Sequence, residues 1–238
     1  MAAKTLTIDG KQISVEAGTT VLQAAREAGI TIPTLCHLEG IMDVGACRLC
    51  LVEVKGTPKL LSACTTKVFE GMEVTTKSER LGKYRRMTLE LLFAERNHVC
   101  AVCVANGHCE LQSLATEQGM DHVRYDYCFP KWGMDLTHPF LGMDHNRCVL
   151  CTRCVRVCWY IEGAGTKNVA GRGGRSMIIS DMNEPWGDSE TCTSCGKCVM
   201  SCPTGALFHK GATAGESERD RSKLEFIVNA REKKQWTV

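Results

Sequence analysis

Sixteen cysteines in 238 residues constrain this chain more than any other feature, and they fall into groups. Cys36, Cys47, Cys50 and Cys64 form a C-x10-C-x2-C-x13-C run, with Gly45 and Ala46 just before its central pair. His98, Cys100, Cys103 and Cys109 follow as H-x-C-x2-C-x5-C. Cys148, Cys151, Cys154 and Cys158 make a C-x2-C-x2-C-x3-C run, which recurs 44 residues later as Cys192, Cys195, Cys198 and Cys202, with Pro203 directly after it. Only Cys128, between Tyr127 and Phe129, stands apart, and it reads as an ordinary buried or partly buried thiol.

Residues Met1 to Asp9 hold one lysine and no apolar run of signal-peptide length. Nowhere do about 18 uncharged apolar residues follow one another. A cytoplasmic protein without a transmembrane segment is therefore expected, and in that reducing compartment this many cysteines point to metal or metal–sulfur ligation rather than disulfides. Hydrophobic residues make up 44% and charged residues 24%, with 29 Lys+Arg against 27 Asp+Glu. That balance fits a folded chain and argues against disorder or a nucleic-acid partner. No G-x-G-x-x-G follows an expected strand and no G-x4-G-K-[S/T] occurs, so nucleotide binding is assigned elsewhere. Zinc is the alternative occupant for paired C-x2-C knuckles. Three cysteines within seven residues, twice over, suit a four-iron cubane better than a tetrahedral ion.

Local patterns give an α+β chain. Residues 4–8 and 11–15 alternate about Asp9-Gly10, a two-residue hairpin signal. Thr20 and Gln23 make a capping box for a short helix with Val21, Ala24, Ala25 and Ala28 on one face, closed by Gly29. Residues 51–55 and 72–76 read as further strands. Ser78 is the expected N-cap of a helix that runs through Tyr84, Met87, Leu91 and Leu92 to Arg96. The imidazole nearest the second cysteine group is His98, with His108 as the competitor. Trp132, Trp159, Trp186 and Tyr160 read as packing around the centres rather than as relays.

These elements resemble known iron–sulfur families. The strands and helix around Cys36, Cys47, Cys50 and Cys64 are similar to the plant-type [2Fe–2S], β-grasp ferredoxin domain, although the first gap exceeds its x4. The His98 run resembles the His/Cys-ligated [4Fe–4S] site of the complex I large iron–sulfur subunit, which has three residues where only Val99 stands here. The last two runs resemble the bacterial two-cluster ferredoxin, in which the fourth cysteine of each run serves the other cluster. That resemblance implies one [4Fe–4S] on Cys148, Cys151, Cys154 and Cys202 and another on Cys192, Cys195, Cys198 and Cys158, with Trp159 in place of the first run's proline.

The whole order, with stretches such as ACRLCLVEV (46–54) and RRMTLELLFAERNHVCAVCVANGHCELQ (85–112), is similar to the diaphorase iron–sulfur subunit (Hox U type) of the bidirectional NAD(P)-linked [NiFe] hydrogenases. The resemblance implies a β-grasp [2Fe–2S] domain (1–78), a small helical His/Cys [4Fe–4S] domain (79–118), a linker (119–138), a two-[4Fe–4S] domain (139–210) and a tail (211–238). It implies one [2Fe–2S] and three [4Fe–4S] clusters and no catalytic residue. The implied partners are a flavin- and NAD(P)-binding diaphorase subunit, a small iron–sulfur hydrogenase subunit and a [NiFe] large subunit. By this analogy the [2Fe–2S] and His/Cys clusters lie towards the flavin partner, and the Cys148–Cys202 domain towards the hydrogenase. The tail reads as a solvated helix, or as a docking arm carrying Leu224, Phe226, Ile227 and Trp236. The rival readings keep the relay in a formate dehydrogenase or an electron-bifurcating complex, or make the chain a free-standing carrier.

Overall fold

The structure is a computed structural model that describes residues 3–212, so the expected docking arm lies outside the described residues. Strand β1 (Ala3–Ile8) turns at Asp9 and Gly10, whose φ of 48° and 83° make the left-handed pair that a two-residue hairpin demands, into β2 (Lys11–Glu16). Helix α1 (Val21–Glu27) carries the full capping box between Thr20 and Gln23. Strands β3 (Leu51–Val54), β4 (Leu61–Ser62) and β5 (Met72–Thr75) complete a five-stranded sheet of order β2-β1-β5-β3-β4. In it β1 and β5 run parallel and the other pairs antiparallel. Leu6 and Ile8 of β1 are buried against Val21, Leu22 and Ala25 of α1, each worth about 1.5–3 kcal/mol. Cys50 and Cys64 belong to the same core.

Helix α2 (Glu79–Glu95) starts where expected, with the Ser78 side chain accepting from the Leu81 N–H. Its buried face is not the expected one. Tyr84 and Leu91 are exposed, whereas Leu81, Arg85, Leu89, Glu90 and Ala94 are buried. Two charges inside a helix face are tolerable because both are satisfied. Arg85 donates to the carbonyls of Leu49 (3.2 Å), Leu51 (2.8 Å) and Thr76 (3.0 Å), and Glu90 accepts from Arg86 and Arg124. Helix α3 (Glu110–Glu117) packs Leu111 and Leu114 into a second core with Leu89, Leu35 and Cys151.

The expected linker is tied down along its length. Arg86 bridges to Asp121, Arg124 to Glu90, and the Cys128 N–H donates to Ala94 O. It also contains β6 (Met134–Asp135), which pairs with β7 (Leu141–Asp144) in a three-stranded sheet that ends in the last described strand.

The two final cysteine runs fold alike and then diverge. Helix α4 (Arg153–Arg156) starts one residue before Cys154 and runs straight into a π-helical turn, Val157–Glu162, stopped by Gly163 at φ 81°. An inserted hairpin, β8 (Lys167–Ala170) and β9 (Met177–Ser180), follows. Helix α5 (Lys197–Ser201) stops before Cys202 and Pro203, and β10 (Leu207–His209) closes the sheet against β7. The divergence has a one-residue origin: Pro203 lacks the N–H that another helical turn requires, while Trp159 retains it. Among the described residues no helix is long and apolar enough to cross a membrane.

Candidate metal centres

The loops of the β-grasp unit bring Cys36, Cys47, Cys50 and Cys64 together, each at most 8% exposed. Arg48 (φ 56°) takes the left-handed conformation between the central pair. Gly45 (φ 63°) does so before it, where a Cβ would also press on Thr65 Cγ2 at 3.3 Å, so glycine is required. His37 anchors this loop to α1. Arg26 donates to its Nε2 (2.7 Å), which leaves the ring proton on Nδ1, facing Asp43 at 2.8 Å. The four thiols hydrogen-bond one another. Those bonds pull Cys36 down to about 2 and Cys50 to about 7, and push Cys47 and Cys64 above the ordinary thiol range. A buried set whose thiols shift one another's acidity this strongly is suited to giving up its protons to a metal.

His98, Cys100, Cys103 and Cys109 line one cavity, with Arg147, Thr204 and Gly205 in its wall. His98 Nε2 is buried without a hydrogen-bond partner. Burial, helped by Arg147 and Arg96, drives the His98 pKa down to about 4, so the ring is neutral and its lone pair is free to ligate. His108 Nε2 is equally orphaned, but His108 does not line this cavity. A Cβ at Gly205 would stand 2.5 Å from Cys103 Sγ, so the wall tolerates only glycine there. Burial pushes Cys109 up to about 11.

The last two runs cross. Cys148, Cys151, Cys154 and Cys202 line one cavity, and Cys158, Cys192, Cys195 and Cys198 line another. The duplication extends to the backbone. Leu150 (φ 51°) and Thr152 (φ 59°) flank Cys151, and Ser194 (φ 56°) and Gly196 (φ 70°) flank Cys195 at the same 44-residue offset. Alternating left-handed residues turn peptide N–H groups inward, the concavity that holds anions and iron–sulfur centres. Burial pushes Cys148, Cys151 and Cys198 up to about 12 and Cys154 well above the usual range. These thiols stay protonated until a metal displaces the proton. Three cavities walled by sulfur donors, with an orphaned imidazole in one, fit groups of soft-ligand chemistry. Among the described residues, no group of three or more His, Cys, Asp or Glu side chains is set to hold a single metal ion.

The Cys148 cavity adjoins both of the others. Thr204 lines both it and the His98 cavity. Cys154 and Cys198 are close enough to feel each other's charge, which joins it to the Cys158 cavity. Towards the β-grasp unit, Arg156 donates to the carbonyls of Cys36, Met42 (3.0 Å) and Cys151 (3.3 Å). Arg153 forms a bidentate pair with Glu110 at 2.8 Å, fixing α3 to α4.

Sequence reasoning missed Arg153, Arg156, Thr204 and Gly205, although two arginines threaded among four cysteines are a usable sign of buried charge with structural work. Two other expectations are corrected. Cys128 is exposed, because Tyr127 and Phe129 stack on each other (5.5 Å) instead of covering it. Trp159 and Tyr160 are 53% and 54% exposed, and of the four aromatics only Trp186 lines a cysteine cavity.

Comparison with known proteins agrees with this geometry. The 2Fe-2S iron-sulfur cluster binding domain matches residues 2–79, the NADH-ubiquinone oxidoreductase-G iron-sulfur binding region 85–124, and two 4Fe-4S dicluster domains 144–206 and 184–234. The chain is 40% identical to the NADPH-Fe(3+) oxidoreductase subunit alpha of Geobacter sulfurreducens over 86% of its own length, but spans only 24% of that relative. With the NAD-reducing hydrogenase HoxS subunit gamma of Cupriavidus necator it shares 33% identity over 86% of both chains. A crystal structure of an NAD+-reducing [NiFe]-hydrogenase in the H2-reduced state contains a chain that superposes with a TM-score of 0.83, at 39% identity and 89% coverage of each.

Proposed function

The chain belongs to the iron–sulfur electron-transfer subunits of NAD-linked hydrogenases and complex I-like enzymes, and we propose that it relays electrons between a flavin-bearing, NAD(P)H-oxidising subunit and a [NiFe] hydrogenase module without a substrate site of its own. Cys36, Cys47, Cys50 and Cys64 would hold a [2Fe–2S] cluster. Three [4Fe–4S] clusters would sit on His98 with Cys100, Cys103 and Cys109; on Cys148, Cys151, Cys154 and Cys202; and on Cys158, Cys192, Cys195 and Cys198. Clusters with a full set of protein ligands leave no open iron for a substrate and pass single electrons, at potentials within roughly −700 to +450 mV.

The observation that carries the reading is the adjacency of the sites. Single residues, Thr204 and Arg156, and one close thiol pair, Cys154 and Cys198, join each set to the middle one. The protein's part is to fix that spacing, exclude water through the Leu35–Leu89–Leu111 core, and present a neutral imidazole and ionisable thiols to the metal.

Anaerobic iron and sulfide analysis of the isolated complex tests the reading, and about 14 Fe per chain is expected. Stoichiometric zinc without labile sulfide overturns it. Co-purification with a molybdenum or tungsten enzyme in place of a nickel–iron subunit moves the same relay to a different terminal enzyme. His98→Ala will remove or alter one low-temperature EPR signal, while His108→Ala will leave all of them in place; the reverse result transfers the ligand role to His108.

A further inference from the structure

Lys167 is 3% exposed, yet its partners are the Ser180 hydroxyl at 2.8 Å and the face of Trp186, with Nζ 3.3 Å from the ring centroid, rather than a carboxylate. A buried ammonium needs a compensating anion. Lys167 and Trp186 both line the cavity of Cys158, Cys192, Cys195 and Cys198, and the Trp186 indole N–H donates to Cys192 Sγ at 3.2 Å. The other lysine in that wall, Lys197, is already matched by Glu162. The wall of the Cys148 cavity contains no charged residue at all. Lys167 and Ser180 are cross-strand partners in the β8–β9 hairpin, the segment inserted between the two cysteine runs. The hairpin therefore delivers to the wall of one of two otherwise duplicated sites an ammonium that no carboxylate hydrogen-bonds, with Asp135 acting on it only through space.

We propose that Lys167, anchored by Ser180 and Trp186, is a potential-setting residue that makes the centre on Cys158, Cys192, Cys195 and Cys198 easier to reduce than its duplicated neighbour on Cys148, Cys151, Cys154 and Cys202. The inference rests on the iron–sulfur reading above. Reduction adds one electron to the centre and Lys167 keeps its proton throughout. A fixed positive charge beside the centre favours the state that carries the extra electron, and the N–H···S bond from Trp186 acts in the same direction.

The test is an EPR-monitored redox titration of the intact complex, with the signal of this centre identified as the one lost in Cys198→Ser. In Lys167→Met the reduced-to-oxidised ratio of that centre at its original midpoint falls about tenfold, equivalent to 59 mV for one electron. Lys167→Arg restores the midpoint, and the centre on Cys148, Cys151, Cys154 and Cys202, which Lys167 reaches only through Cys154, moves less. An unchanged midpoint in a Lys167→Met complex that retains its iron overturns the proposal. If that variant loses the centre, Ser180→Ala decides, because it keeps the ammonium but removes its anchor: a lowered midpoint supports the proposal and an unchanged one overturns it. Absence of any such signal from the unmodified complex would instead remove the iron–sulfur reading on which the proposal stands.

Discussion

Replacing Cys154 with serine will leave the proposed relay about four irons short per chain and will interrupt electron passage along it. Cys154 is fully enclosed and lines the middle cavity, facing Cys198 of the next. A serine hydroxyl is a harder donor that gives up its proton far less readily than a thiol, so the site loses a ligand without losing volume. Because metal binding and folding are coupled, the variant will also be much less stable; structural metal sites contribute on the order of 10 kcal/mol. Cys128→Ser is the matched control. That thiol is exposed and lines none of the cysteine cavities described, so iron content and turnover stay at the unmodified level. Full iron in Cys154→Ser, or lost iron in Cys128→Ser, would show that the cysteines are partitioned differently. Both are read by iron analysis and by hydrogen-dependent dye and NAD(P)+ reduction.

Arg156→Met is expected to loosen the join between the β-grasp unit and the two-run domain. The guanidinium is 5% exposed and satisfies carbonyls of Cys36, Met42 and Cys151, from two parts of the chain more than a hundred residues apart. Methionine roughly fills the space but leaves those oxygens buried and unpaired, a loss on the order of 4 kcal/mol. Anaerobic urea unfolding will show the midpoint displaced to lower denaturant, and the absorption of the [2Fe–2S] centre will bleach first. Coincident, undisplaced transitions would mean that the apolar contacts of Leu35, Leu38 and Ile41 hold the join by themselves.

What the chain announces in its sequence follows short-range rules. Asp9-Gly10, the Thr20–Gln23 box and the Ser78 cap each depend on residues within a few positions, and each is found where the local pattern puts it. The repeat is visible as a spacing, but the crossing of the cysteine sets is implied only by its resemblance to the bacterial two-cluster ferredoxin. The buried face of α2 does not, because Arg85 is made tolerable by carbonyls 34 and 36 positions away and Glu90 by Arg124. Strands of two to four residues, such as β6 and β10, are too short to alternate legibly. Which cavity adjoins which is likewise silent in ligand spacing, since it depends on Thr204, on Arg156 and on the approach of Cys154 to Cys198.

The π-helical turn after Cys158 has one more consequence. A duplicated unit is close to a palindrome: turned end for end it offers a docking protein the same face twice, and half of all encounters then lead the wrong way. Pro203 ends one half abruptly, while Trp159 lets the other wind on into Gly163 and the inserted hairpin. One amide hydrogen, retained at position 159 and missing at 203, makes the two halves of the duplicated unit unlike.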